Sequence, residues 1–170
     1  MPSAIGPLPD REPAGTVVVA IGDEAMRDHG IGPAIARELS RRDLGPKVRV
    51  ADAGMRGLDL VFELQGAGRV VIVCALQTGA SPGTIHVMSP ATAVALGRTP
   101  SLSGLELADA LEMTGLLGER PEALILGVEP SEIAPGRALS PAVAPAIGPA
   151  VDRVLALIAD PVAFRRATRD

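Results

Sequence analysis

Apolar residues recur along the chain in two alternating patterns, unbroken runs and helical stripes. Residues 16–22, TVVVAIG, form an unbroken run rich in valine, which is typical of a central strand covered on both faces. From Ile31 to Leu39 the apolar residues return at helical spacing and predict an amphipathic helix. The polar loop between them, residues 23–30, is therefore expected to lie at the end of a buried strand and the start of a helix.

The same alternation continues to residue 158 and defines the fold class. Further strands are predicted at residues 48–51, 69–75, 84–88 and 122–128, helices at 58–64, 103–114 and 140–158, and a loop at 89–102. Strands that alternate with helices imply right-handed crossovers and a largely parallel sheet. We therefore expect an α/β fold, a three-layer α/β/α sandwich with a five-stranded sheet. Pro145 and Pro149 are expected to kink the last helix or to delay its start.

The two ends of the chain differ from this pattern. Residues 1–15 contain four prolines and no apolar core, so we expect a disordered leader there. Residues 160–170 are charged and are expected to form a frayed tail. The chain then comprises one domain over residues 16–159.

Composition excludes several function classes. No apolar run reaches the ~18 residues that a membrane span needs. A net charge of −4 without a basic cluster argues against a nucleic-acid surface. Two phenylalanines with no tyrosine or tryptophan disfavour cofactors that are held by stacking, and no cofactor of its own is expected. A single cysteine excludes an internal disulfide and favours the reducing cytoplasm.

The side chains that could take part in catalysis or metal binding are predicted to lie at one edge of the sheet. A sheet that begins in this way usually has the strand order 2-1-3, with a crevice at the carboxyl ends of strands one and three. Those ends carry His29 and Cys74. Three interpretations of this pair remain open. In the first, Cys74 is a buried packing residue and His29 lies at the surface. In the second, the two side chains hold a metal ion together with a third ligand from Asp23, Glu24 or Asp28. In the third, they form a nucleophilic dyad.

Other polar residues have local explanations. Ser103 has capping-box spacing to Glu106 and is expected to cap a helix. Asp28 is a candidate cap for the first helix, and Asp52 a candidate acceptor for turn amides. His86 alternates within a predicted strand and is expected to face solvent. An anion at the start of the first helix is disfavoured because the loop before it is acidic.

Five motifs in order resemble the hydrogenase maturation proteases, endopeptidases that trim the C-terminal tail of the nickel–iron hydrogenase large subunit. The resemblance covers residues 16–158, nearly the whole domain. The segments that carry it are VVVAIGDEAMRDHGIGPAIARELS, VADAGMRGLDL, RVVIVCALQTGASPGTIHV, SLSGLELADAL and LILGVEPSEIAPGRALSPAV. The resemblance implies the same α/β/α sandwich, and a crevice that senses the nickel already loaded in the substrate.

The resemblance also implies which residues should sense that nickel, and all three have changed. The acidic residue of the first loop falls on His29, the aspartate that ends the third strand on Cys74, and the histidine that opens the later helix on Ser103. Serine is a poor nickel ligand, whereas histidine and cysteine still bind a borderline-soft ion. In addition, the usual asparagine of the first loop is Asp23, and a threonine of the second motif is Met55.

Two functions follow from this pattern. The first is a degenerate or repurposed member, a pseudoenzyme that binds a hydrogenase large subunit or another protein tail as an assembly factor. The second is a working endopeptidase with an altered ligand set, in which His29 and Cys74, aided by Asp28 or Asp23, contact the nickel of the substrate. In both cases Asp23, Asp28, His29, Asp52, Cys74 and Ser103 are the candidate crevice residues.

Overall fold

The valine-rich runs pair into one five-stranded sheet. The computed structural model describes residues 15–98, 107–118 and 120–169. The strands are β1 (Thr16–Ala20), β2 (Val48–Asp52), β3 (Arg69–Ala75), β4 (Ile85–Met88) and β5 (Glu122–Val128). Their order is β2-β1-β3-β5-β4, with β4 antiparallel to β5 and every other pairing parallel. The predicted order 2-1-3 and the mostly parallel sheet are thus confirmed.

Helices cover both faces of this sheet. They are α1 (Ile31–Leu39), α2 (Gly57–Leu64), α3 (Pro90–Ala95), α4 (Leu107–Leu117), α5 (Ile147–Ala159) and α6 (Pro161–Ala167). One apolar cluster joins α1, α5 and α6 to one face of the sheet, and a second joins α2, α3 and α4 to the other. Alternate residues of each strand enter alternate clusters, since successive side chains of a strand point to opposite faces. The predicted α/β/α sandwich is confirmed.

Three predicted boundaries are wrong, and each has a local cause. Residues 90–95 of the predicted loop form α3, because the Ser89 hydroxyl accepts a hydrogen bond from the Thr92 amide and Pro90 occupies the first helical position. The last main helix, α5, starts at Ile147 rather than near residue 140, after a short 3-10 helix over Ala144–Ala146 that contains Pro145. Of the two effects expected from the prolines, a kink or a delayed start, the delayed start is confirmed.

The third wrong boundary is the predicted frayed tail. Residues 161–167 form α6 instead, capped by the Asp160 carboxylate, which accepts hydrogen bonds from Val162 N at 2.9 Å and Ala163 N at 3.0 Å. Phe164 is fully buried in the α1–α5 cluster, and the Arg69 guanidinium lies 5.4 Å from its ring centroid. A single buried phenylalanine holds this helix against the core. One apolar residue does not make a helical repeat, so the hydrophobic pattern did not predict the helix.

Some predictions fall outside the described residues. The leader over residues 1–14 and the capping box that begins at Ser103 are among them. The helical stripe that follows is seen in α4, where Leu107, Ala110, Leu111 and Thr114 are buried. Within the described ranges, no helix is long and apolar enough to cross a membrane.

Candidate functional site

The carboxyl ends of β1 and β3 lie side by side, as the sequence predicts. Ala20 is in register with Val73, and the amide of Ile21 donates to the carbonyl of Val73 at 3.0 Å. The first turn of α1 packs directly onto this pair. A Cβ on Gly32 would lie 2.5 Å from the Val73 carbonyl oxygen and closer still to that of Ile21. A glycine is required there, and it brings the helix start to the edge where such folds bind ligands.

His29 is tied to the backbone of its own loop. Its Nδ1 accepts a hydrogen bond from the Asp23 amide at 2.9 Å, while Asp23 Oδ1 accepts from Ala25 N at 2.8 Å. Because Nδ1 acts as an acceptor, the neutral ring carries its proton on Nε2. Burial lowers the pKa of His29, and the Asp23 charge offsets only part of that effect. The loop therefore presents a neutral imidazole at physiological pH.

Asp28 does not cap α1, contrary to the sequence prediction. Its side chain is fully buried and accepts hydrogen bonds from the loop that follows β5: from the amides of Ser131 and Glu132 at 2.9 Å each, and from Ser140 N at 2.7 Å and Ser140 Oγ at 2.9 Å. Burial alone would raise the pKa of Asp28, but these hydrogen bonds outweigh it and hold the pKa below its usual range. Asp28 is thus a structural carboxylate that joins two loops.

Backbone hydrogen bonds also connect these two loops. Arg27 N donates to Gly136 O, and Gly136 N donates to Ala25 O, each at 2.8 Å. Arg27 has a φ of 46°, a left-handed conformation that is unfavourable for arginine, and its guanidinium lies 3.3 Å from the Glu132 carboxylate. The loop at residues 23–30 and the loop at residues 129–140 consequently form one continuous wall.

Asp52 has the local role that the sequence predicts. It is exposed, and its Oδ1 accepts the amide of Gly54 at 2.8 Å, as expected for a turn after a strand. The turn is held against the end of β1 by its backbone, since Gly22 N donates to Gly54 O at 3.0 Å.

Cys74 faces the interior of the protein. Its side chain is 1% exposed and packs within the apolar cluster of α2 and α4. Burial raises the pKa of this thiol to about 12. A thiol that stays protonated is neither a nucleophile nor a metal ligand, because both roles need the thiolate.

The described residues also lack the ligands for a metal centre. Nowhere in the described ranges do three or more histidine, cysteine, aspartate or glutamate side chains come together in a way that would hold an ion. Ser103, the remaining candidate, lies outside those ranges. The described donor set does not fit a nickel-binding site.

Sequence reasoning missed a second buried carboxylate at the same edge, Glu129. It directly follows β5, is 5% exposed, and accepts hydrogen bonds from Thr78 N at 2.8 Å, Thr78 Oγ1 at 2.7 Å and Gly79 N at 3.1 Å. Burial would raise the pKa of Glu129, but these hydrogen bonds outweigh it and lower the pKa. The available signal was its place at the end of a buried strand, where a parallel sheet collects polar groups.

His86 belongs to this second cluster and does not face solvent as the sequence predicts. Its Nε2 lies 3.1 Å from Thr78 Oγ1 and 3.7 Å from the Glu129 carboxylate, and its side chain is 22% exposed. The alternation in β4 fails as a guide because both faces of this edge strand are partly covered.

The state of Cys74 can be measured directly. We expect its native thiol to react with an aromatic disulfide reagent at a rate set by unfolding, because the group is buried and protonated. The same chain in denaturant should react fast with one equivalent. Rapid labelling of the native chain near neutral pH would show an accessible thiolate instead.

Comparison with known proteins decides the family. The family model for hydrogenase maturation protease, HycI, matches residues 33–157, most of this chain. The chain belongs to the hydrogenase maturation protease family. It is 31% identical over 121 residues to the hydrogenase expression/formation protein HoxM of Cupriavidus necator, a match that covers 69% of this chain and 60% of HoxM. With HupD of Rhodobacter capsulatus it shares 29% identity over 142 residues, 81% of this chain and 68% of HupD.

A solved structure from the hydrogenase maturation protease family matches the fold. The hydrogenase-maturating endopeptidase HybD from E. coli superposes with a TM-score of 0.75 at 30% identity, covering 84% of this chain and 91% of HybD. The family resemblance seen in the five motifs is therefore confirmed, and with it the sandwich fold.

Proposed function

We propose that this chain is a hydrogenase maturation protease homologue that binds the C-terminal tail of a nickel–iron hydrogenase large subunit, or of another protein, without cleaving it. It then acts as an assembly or maturation factor in the cytoplasm. One observation carries the proposal. At the end of β3, where the resemblance implies a nickel-sensing aspartate, the chain has Cys74, a protonated thiol packed inside an apolar cluster.

The first loop supports the same proposal. Where the resemblance implies a second acidic ligand, His29 uses its Nδ1 to accept a backbone amide. The neighbouring carboxylate cannot replace the lost ligand, because both oxygens of Asp28 accept hydrogen bonds from the loop after β5. Cleavage that depends on nickel would have to proceed without the carboxylates that the resemblance assigns to it.

The backbone around these positions is well ordered by contacts. The close approach of Gly32 to β1 and β3, the hydrogen bonds of Asp28 and the turn after β2 all lie at the carboxyl edge of the sheet, where such folds bind ligands. An ordered edge with altered chemical groups favours binding over catalysis.

The second candidate is an active endopeptidase with an altered ligand set. The likeness to HybD, a hydrogenase-maturating endopeptidase, favours it, as does the neutral imidazole of His29, which can bind nickel once its Nδ1 is released from the Asp23 amide. This candidate requires Cys74 to leave the apolar cluster and to ionise when substrate binds.

Binding to the tail can be tested with two forms of one partner. We expect the chain to bind the purified precursor of the large subunit, and to bind the mature subunit without its tail about tenfold more weakly or not at all. Titration by interferometry or calorimetry measures both affinities. Equal affinity for the two forms would place the contact outside the tail, and no binding to either would reject this partner.

A further inference from the structure

The loop that follows β3, residues 77–81, is held by contacts that the predicted chemistry does not use. It crosses from the end of β3 to the end of β5, since Leu76 N donates to Val128 O at 3.0 Å. It therefore lies at the carboxyl edge of the sheet, on the side of β3 that faces β5, while β1 lies on the other side of β3. Gln77 and Gly79 are exposed, so the outer side of the loop is open to a partner.

The underside of this loop rests on Glu129. One carboxylate oxygen accepts both the amide and the hydroxyl of Thr78, and the other accepts the amide of Gly79. Thr78 Oγ1 can donate only one proton, so its contact with His86 Nε2 is a hydrogen bond donated by the histidine. His86, Thr78 and Glu129 thus form a chain of hydrogen bonds that connects β4, the loop and the end of β5.

Backbone hydrogen bonds hold the chain just after this loop. Gly83 N donates to Glu129 O, and Glu129 N donates to Thr84 O, each at 2.8 Å. Glu129 thus contacts the loop through its carboxylate and the residues that follow the loop through its amide and carbonyl. A loop held in this way loses little conformational entropy when a partner binds.

We propose that Glu129 is a positioning residue that holds the 77–81 loop in its partner-binding shape before the partner arrives. Thr78 transmits this restraint, and the loop forms the wall of the crevice on the side of β5. The partner is the extended protein tail of the proposed function, on which the binding half of this inference rests. The restraint itself exists without a partner and can be measured alone.

The first measurement is amide hydrogen exchange on the full chain. Glu129→Gln keeps the size of the side chain but sets an amide group against the Gly79 N–H, so we expect about tenfold faster exchange at residues 78–80. Exchange at Ser131, Glu132 and Ser140, whose amides bind Asp28, should not change. The control is Glu38→Gln near the end of α1, a partly exposed carboxylate that pairs with Arg41 at 3.0 Å, away from this edge of the sheet. Unchanged exchange at residues 78–80 would overturn the proposal.

The second measurement separates positioning from general stability. Thr78→Val removes the hydroxyl at nearly constant shape, whereas Thr78→Ser keeps it. We expect Glu129→Gln and Thr78→Val to weaken binding of the large-subunit precursor about tenfold, and Thr78→Ser to bind like the unaltered chain. Both weakened variants should still unfold in a single cooperative transition with a midpoint well above the binding conditions, so that the affinity is measured on folded protein.

The outcomes are distinguishable. Faster exchange with unchanged affinity would show that the loop is held by Glu129 but is no part of the binding wall, which overturns the proposal. If the unaltered chain does not bind the precursor, the proposed function fails together with the binding half of this inference. Exchange at residues 78–80 then still decides whether Glu129 restrains the loop.

Discussion

Asp28→Ala is expected to lower the free energy of unfolding by about 3 kcal/mol, because the buried amide and hydroxyl of Ser140 and the amides of two exposed loop residues lose a buried acceptor. The carboxylate accepts three backbone amides and one hydroxyl from Ser131, Glu132 and Ser140. Alanine cannot accept any of them, and the site is buried, so water replaces the carboxylate poorly. Equilibrium unfolding in denaturant measures the change.

Asp52→Ala is the matched control for this substitution. Asp52 is also an aspartate that accepts a backbone amide at the carboxyl edge of the sheet, but it is exposed and binds Gly54 within its own turn. Its loss should cost about 1 kcal/mol or less. A similar cost for both variants would contradict the structural role of Asp28.

The Asp28 contribution should also depend on pH in a defined direction. Its pKa in the folded chain lies below the ordinary value for aspartate, about 3.9, which is that of the unfolded chain. The stabilisation is therefore complete above about pH 4 and is lost as the pH falls through the lower folded-state pKa. The stability difference between the unaltered chain and Asp28→Ala should narrow on acidification. A difference that stays constant would show that the carboxylate charge is not involved.

Gly32→Ala is expected to destabilise the protein by about 3 kcal/mol or more, because the new methyl group has no space. Its Cβ would overlap the carbonyl oxygens of Ile21 and Val73, which are backbone atoms at the ends of β1 and β3. These atoms cannot rotate away like a side chain. The start of α1 would have to move off the sheet, and the crevice would open. Thermal and denaturant unfolding report the loss.

The chain contains a matched control for Gly32 in its own sequence. Residues 31–34 and 147–150 are both Ile-Gly-Pro-Ala, and each begins a helix. Around Gly148 no atom outside its own helix backbone and its two chain neighbours lies within 4 Å of an added Cβ. Both glycines precede a proline, which disfavours a helical alanine equally at the two positions, so Gly148→Ala should cost about 1 kcal/mol or less. Equal effects at the two positions would show that α1 does not approach the strands as described.

This pair of glycines shows where sequence reasoning stops. Hydrophobic periodicity is a local signal, and it predicted the five strands and the two helix layers. The usual topology of such sheets added the order 2-1-3 for the first three strands, but the places of β5 and β4 were not predicted. The sequence Ile-Gly-Pro-Ala is the same at residues 31–34 and 147–150. It does not indicate that Gly32 contacts two strands whereas Gly148 faces solvent. The partners of Asp28 and Glu129 lie in distant parts of the sequence, Ser140 being 112 residues after Asp28. Such contacts exist only once the sheet has formed.

The sequence predicted where the candidate residues lie in the fold, but it did not predict what each side chain contacts. The strand order placed His29 and Cys74 at neighbouring strand ends, and the structure agrees with that location. Which way a strand-end side chain points depends on the register of the strand against its covering helices, and for Cys74 that direction is into the apolar layer. The buried state of the thiol was one of three open interpretations, and the described structure favours it.

The mass of the large-subunit precursor after incubation with this chain tests the central claim most directly. The precursor is loaded with nickel, and intact mass spectrometry follows it beside a parallel reaction with Cys74→Ala. We predict that the precursor keeps its full mass with both proteins while remaining bound to the unaltered chain. Loss of the C-terminal tail with the unaltered chain, abolished by Cys74→Ala, would contradict the account and establish an active endopeptidase.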